Sequence, residues 1–274
     1  MIHSTSLEVL APASSIEHVE AAINAGADAI YIGIKGLSAR PDNWSFSLTE
    51  AQEIVNLVHR SNCKIYFAVN AEIGEYNTKD VQELLGHSTC TSCDALILSD
   101  WGVIRLASDM NMGVPLHAST LLGVYNIPTI RVLEEMGVTR VIFNTNLLIH
   151  QMAELSRSVP SMSYEIISYG GLCFNDNRRC RLPHYISNGN YCVGCKDNYR
   201  YVNDQGETQT FSIGFADIDL TPIISQYVSI GVSSFKIEGR TRSAEYISHS
   251  TSILRKAVDN YLASEKKHIS YYYI

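Results

Sequence analysis

The chain has 274 residues, 46% hydrophobic and 18% charged, an ordinary globular composition that can bury a large core without disulfides. A formal net charge of −7 argues against an extended nucleic-acid surface, and no run approaches the ~18 consecutive apolar residues of a membrane span. Met1 to Ser6 has neither a basic nor an apolar signal region, so a cytoplasmic protein with no membrane span is expected.

Short apolar, β-branched runs alternate with amphipathic stretches, the pattern of βα units around a parallel sheet. The first predicted strand is Leu7 to Ala13. Ser14 with Glu17 reads as a capping box opening the following helix, and Gly26 ends it. A second strand follows from Ala29 to Lys35, and Ser47 with Glu50 repeats the capping signature before the stripe Ala51, Ile54, Val55 and Val58. Further strands are predicted at Lys64 to Asn70, Ala95 to Asp100, Pro115 to Ser119, Arg140 to Thr145 and Ser163 to Tyr169. The eighth is Ser234 to Glu238, and a last helix from Ser243 to about Ala263 closes the ring. Most of these strands are apolar on both faces, as strands covered by helices should be. The fold class is α/β, a (β/α)8 TIM-like barrel spanning 1–274 as a single domain.

One segment breaks the rhythm. About 50 residues separate strand seven from the helix near Thr221 to Ile230, far more than an ordinary connection, and such excursions are usually functional. This insertion, 171–219, ends in a hairpin from Tyr199 to Val202 and Thr208 to Ile213. It holds Cys173, Cys180, Cys192 and Cys195, spaced C-x6-C-x11-C-x2-C. Four soft thiolates close in sequence select zinc or an iron–sulfur cluster over magnesium or calcium. Structural zinc usually takes two close pairs, whereas an iron–sulfur cube tolerates irregular spacing. Incidental loop cysteines are the competing reading. Cys90 and Cys93 form another C-x2-C before strand four, with only two ligands, and Cys63 reads as a packed residue.

Active sites of such barrels lie at the C-terminal strand ends. That rule nominates Asn70, Asp100, His117, Ser119, Asn144, Lys236, Glu238 and Arg240. Asp100 and Glu238 could act as acid, base or proton relay, with structural ion pairing the alternative for each. Lys236 and Glu238, two apart on one strand, should face the same way. Arg240 and Arg242 could hold a carboxylate bidentately, or simply solvate a helix entrance. His117 could hydrogen-bond in the mouth or be a satisfied core histidine. Arg178, Arg179 and Arg181 flank Cys180 and could offset a cluster's negative charge.

Leu10-Ala11-Pro12-Ala13, the run Gly26 to Gly33, Tyr169-Gly170-Gly171-Leu172-Cys173 and Phe235-Lys236-Ile237-Glu238-Gly239-Arg240 resemble the U32 peptidase family. Within it, the chain is most similar to the cluster-carrying subunits of the oxygen-independent ubiquinone hydroxylase. The resemblance implies a [4Fe–4S] cluster on four cysteines, with Cys173 and Cys180 on the family's first two ligand positions. It also implies hydroxylation without molecular oxygen, with prephenate as oxygen donor, and partnership with a second U32 protein in a heterodimer. The acceptor expected from the charge balance is a small aromatic or lipid-like molecule, with an RNA base as the alternative. A peptidase would need a nucleophile–base pair or catalytic metal, and neither H-E-x-x-H nor G-x-S-x-G occurs. A non-enzymatic, cluster-bearing partner protein is the remaining alternative.

Overall fold

The computed structural model describes residues 6–171, 173, 198–212 and 217–270. The barrel strands are β1 (Glu8–Pro12), β2 (Ala29–Gly33), β3 (Lys64–Val69), β4 (Ala95–Leu98), β5 (Leu116–Ala118), β6 (Val138–Ile142) and β7 (Ser163–Gly171). After β7 come the hairpin β8 (Asn198–Val202) and β9 (Thr208–Ser212), then β10 (Asp217–Asp219), and the barrel resumes with β11 (Val232–Glu238). Each of β1 to β7 pairs in parallel with the next except across the seam, where β11 inserts between β7 and β1. Pairing of β6 with β7 completes the ring. The expected eight-stranded parallel barrel is present, and the hairpin falls where the sequence places it. Strand β10 is an addition, running antiparallel along the end of β7.

Helix caps explain where the connections turn. In α2 (Leu48–Arg60), Ser47 and Glu50 form the expected reciprocal box. In α1 (Ile16–Asn24) the expected box is not formed: Ser15, not Ser14, caps the helix alone by accepting from the His18 backbone N–H. Ser14 is otherwise engaged, donating its hydroxyl to the Arg240 carbonyl at 2.7 Å across the seam. The last helix, α9 (Ala244–Ser270), docks on the start of the chain. There Arg255 donates to Asp28, which also accepts from the Val9 backbone N–H at 2.7 Å. Among the described residues, no helix is long and apolar enough to cross a membrane.

The core has two layers. Outward-facing strand residues such as Val9, Ile32, Phe67 and Leu98 pack with helix residues such as Val19, Ile54 and Ile104. Inside the ring, Leu10, Tyr31, Tyr66, Ala68, Ile97 and Ile142 form a smaller apolar cluster. Below it the interior is charged. Arg140 lies between Glu8, at 2.5 Å, and Glu165, at 3.2 Å, and Lys236 reaches the other oxygen of Glu165 at 3.2 Å. Tyr66 and Ser234 both donate to Glu8. Burial alone would push the Glu8 carboxyl up, but Arg140 and these hydroxyls together hold it below its ordinary value.

Removing one partner from such a buried set leaves an uncompensated charge. Arg140→Met is therefore expected to cost about 3–5 kcal/mol in urea unfolding. The fold also responds to acid with a definite sign. Burial, then the positive charges of Arg140, Lys236 and Lys64, hold His117 well below the ordinary value of 6.5, and burial lowers His18 too. An unfolded chain binds those protons first, so stability should decline as pH falls below 6.5, by up to about 1.4 kcal/mol per pH unit per group. Glu8 adds a later loss as pH passes below the carboxylate range. Urea titrations against pH should show the first slope reduced in His117→Phe; an unchanged slope would contradict a neutral, buried imidazole.

Candidate active site

At the C-terminal mouth of the barrel lies a cavity of about 110 Å³. Of the residues nominated from sequence, Asn70, Ser119, Lys236, Glu238 and Arg240 line it together, and Cys173 lines it with them. Asn70 accepts from the Ala39 backbone N–H at 3.0 Å and so fixes the loop that carries Arg40 into the site. Lys236 and Glu238 both reach the cavity, as their spacing on one strand implies.

The other nominated residues lie elsewhere. Asp100 caps α5 (Trp101–Asp109), accepting from the Gly102 and Val103 backbone N–H groups. His117 is buried in the barrel interior, edge-on to Tyr66 with ring centroids 5.0 Å apart. Asn144 is buried beside a second, smaller cavity; its side-chain oxygen accepts from the Asn146 N–H. Its amide nitrogen has no partner among the described residues. Arg242 points to the surface, paired with Asp217 at 2.7 Å and stacked near Tyr246. The proposed joint clamp of Arg240 and Arg242 is thus not formed: one guanidinium faces the cavity, the other faces solvent. Cys180, Cys192, Cys195 and the arginines beside Cys180 lie outside the described residues. Cys90 and Cys93 are buried thiols at the opposite end of the barrel, and Cys63 is half-buried with its thiol on the Ala27 carbonyl.

Three residues of the site were not singled out from sequence. Tyr31 forms the floor, its hydroxyl donating to the Ile237 carbonyl at 3.0 Å. Lys236 Nζ lies 4.1 Å and the Arg240 guanidinium carbon 5.6 Å from the centre of its ring. Arg40, from the loop after β2, pairs with Glu238 at 2.7 Å. Glu165 on β7 holds Lys236 from below. The available signal for Glu165 was a lone charge inside an otherwise apolar strand; Arg40 sits in an irregular loop and had none.

Arg240 is distinctive. It is buried, donates to Ser38 Oγ at 2.9 Å, and among the described residues forms no ion pair. Burial and the nearby Arg40 charge bring it down to about 10, still cationic at neutral pH. Room for it exists because residue 33 is glycine: a Cβ there would stand 2.4 Å from its Nη1. A serine–histidine contact nearby is not an activated nucleophile. Ser14 Oγ lies 3.1 Å from His18 Nδ1, but its one proton goes to the Arg240 carbonyl, so the ring N–H must donate to Ser14.

Fold and cavity together define an α/β barrel protein with a cation-rich pocket at its C-terminal mouth. A family model, Peptidase family U32, matches residues 14–273, and the chain belongs to that family. Its relatives include a tRNA hydroxylation protein P of Helicobacter pylori, 30% identical over 93% of this chain and 65% of that protein. Another is a 5-hydroxycytidine synthase for ribosomal RNA of Escherichia coli, 29% identical over 94% of this chain and 40% of that protein. A collagenase of Porphyromonas gingivalis is 25% identical over 93% of this chain and 66% of that protein. The chain thus spans about two thirds or less of these relatives. Among solved structures, a U32 peptidase superposes with a TM-score of 0.57 at 10% identity, covering 87% of this chain and 95% of that one. A thiamine phosphate pyrophosphorylase from Pyrococcus furiosus gives 0.56 at 14% identity over 93% and 97%. Both show the shared barrel.

The clash at position 33 gives a separable test. Nη1 is the far end of a flexible side chain, and the other close atoms, Ser38 Oγ at 2.6 Å and Ser45 Oγ at 2.7 Å, are side-chain hydroxyls, so Gly33→Ala should displace the guanidinium and these hydroxyls rather than the strand. By contrast, a Cβ at Gly170 (φ 103°) would stand 2.0 Å from the Glu238 backbone oxygen, which cannot step aside. Urea unfolding is expected to show Gly170→Ala losing well over the ~1–3 kcal/mol typical of overpacking, and Gly33→Ala losing less than that. Calorimetric binding of a small carboxylate to Gly33→Ala should weaken as it does in Arg240→Gln.

Proposed function

We propose that this chain hydroxylates an aromatic ring without molecular oxygen, with a [4Fe–4S] cluster on Cys173, Cys180, Cys192 and Cys195 and an RNA base as acceptor. The observation that carries the reading is Cys173 on the wall of the same cavity that holds a buried guanidinium with no ion-pair partner among the described residues. The donor set fits the group: four thiolates suit iron–sulfur chemistry, and Cys173 lines a pocket able to hold an anion. When bound, the cluster supplies one-electron chemistry that protein side chains lack. RNA as acceptor is supported by relatives whose names state hydroxylation of transfer and ribosomal RNA.

The chain's own residues then bind and orient. Arg240 holds a carboxylate of the oxygen donor, for which prephenate is the candidate, over the face of Tyr31. Asn70 and Arg40 border the donor and keep the loop in place. Glu238, paired with Arg40, and Lys236, paired with Glu165, both line the cavity and hold or move a proton during transfer. A small aromatic or lipid-like acceptor of the ubiquinone-precursor type, handled with a second U32 chain, is the second reading. The net charge of −7 favours it, since non-specific RNA binding draws on basic residues.

Anaerobic purification should yield about four irons and matching sulfide per chain, lost in Cys180→Ser. With prephenate and a reductant, transfer or ribosomal RNA lacking the modification should gain one oxygen in a nucleoside by mass spectrometry, and not with Cys180→Ser. A lone zinc in place of iron would overturn the cluster. Oxygen gained by a small phenol but not by RNA would transfer the reading to the second acceptor, and cleavage of casein lost with Glu238→Gln would replace both with a peptidase.

A further inference from the structure

Lys236 has more to offer than charge. Its amine is buried, yet it lines the cavity, 4.1 Å over the Tyr31 ring. Among the described residues its one ion-pair partner is Glu165, 3.2 Å away, and the other oxygen of that carboxylate is turned to Arg140. The amine is thus held in place without being saturated. Arg240 shares the same ring face region and, among the described residues, has no carboxylate to balance it. Ile97, Ile142 and Ile167 supply apolar lining to the same cavity.

An amine beside a carboxylate-binding guanidinium, in a cavity with apolar lining, matches a ketone that carries its carboxylate on the adjacent carbon. We propose that Lys236 captures a 2-oxo acid as an imine, with the acid's carboxylate on Arg240 and its apolar substituent against the isoleucines. The step is a condensation. The lysine nitrogen forms a double bond to the ketone carbon, and the carbonyl oxygen leaves as water with two of the nitrogen's protons. The protonated imine keeps the positive charge, so no oxidant or reductant enters. Glu165 accepts the proton that exposes the nitrogen lone pair and returns it to the departing oxygen. Burial, which lowers Lys236 below the ordinary lysine value, favours the neutral amine that this attack needs. The inference deepens the proposed function, since it rests on reading this cavity as the place where the oxygen donor binds.

The test is reductive trapping with the full chain. Protein is incubated with phenylpyruvate and cyanoborohydride, then read by intact mass and peptide mapping. One reduced adduct on the peptide containing Lys236 is expected, none with phenyllactate, which lacks the ketone, and none in Lys236→Arg. Arg240→Gln should raise the phenylpyruvate concentration for half-maximal trapping about tenfold or more, the range for a lost charge-assisted hydrogen bond. Label spread over exposed lysines such as Lys35 and Lys79, with Lys236 unlabelled in the wild-type chain, overturns the proposal without need of a variant. Trapping that Arg240→Gln leaves unchanged overturns the carboxylate assignment. Because trapping reads capture rather than hydroxylation, a labelled Lys236 in a protein that hydroxylates nothing would refute the proposed function alone.

Discussion

Four charged side chains are withdrawn from water inside the barrel, and they must neutralise one another there. Glu8, Arg140, Glu165 and Lys236 come from β1, β6, β7 and β11, so their alternation of sign ties together the strands around the seam. The cost of desolvating each ion is several kcal/mol, which only close partners can offset. A one-residue slip of any of these strands would turn its charge outward into the apolar layer beneath the helices. The register of the ring and the position of Lys236 at the cavity floor are therefore one and the same constraint.

Above that neutral set, the balance changes. Arg40 and Glu238 cancel, but Arg240 adds a positive charge with no matching carboxylate among the described residues. Among the described residues, the interior is balanced at the bottom and carries an excess positive charge at the top. Tyr31 joins the two levels: its hydroxyl is fixed to the β11 backbone, and its ring faces both cations. Its burial, which pushes the phenol well above its ordinary value, keeps it a neutral platform.

The barrel was legible because most of its strands are short runs apolar on both faces, such as Ala95 to Leu98, separated by helices whose caps follow local rules. Ser47 with Glu50 was readable for that reason. Ser14 was not, because its hydroxyl answers to Arg240, 226 residues away. The site divided along the same line. Asn70, Ser119, Lys236, Glu238 and Arg240 follow from strand-end geometry, which is local. Asp100 and Asn144 satisfy the same rule of position, yet their oxygens serve backbone N–H groups two or three residues on. His117 is turned inward rather than to the mouth, a matter of strand facing that its short run did not reveal. The pairing of Glu165 with Lys236 and of Arg40 with Glu238 depends on tertiary closure, and no spacing in the chain encodes it.

The strand that completes the ring is the last to be synthesised. Until β11 emerges, β1 and β7 each present an unpaired edge, and Glu165 waits without its lysine. On the ribosome, the first seven strands cannot close into a ring until the whole cysteine-bearing insertion has been made. Open edges of this kind invite pairing with other chains. The insertion thus imposes a delay on closure, and a nascent chain stalled within it would be a natural client for chaperones that shield exposed β-edges.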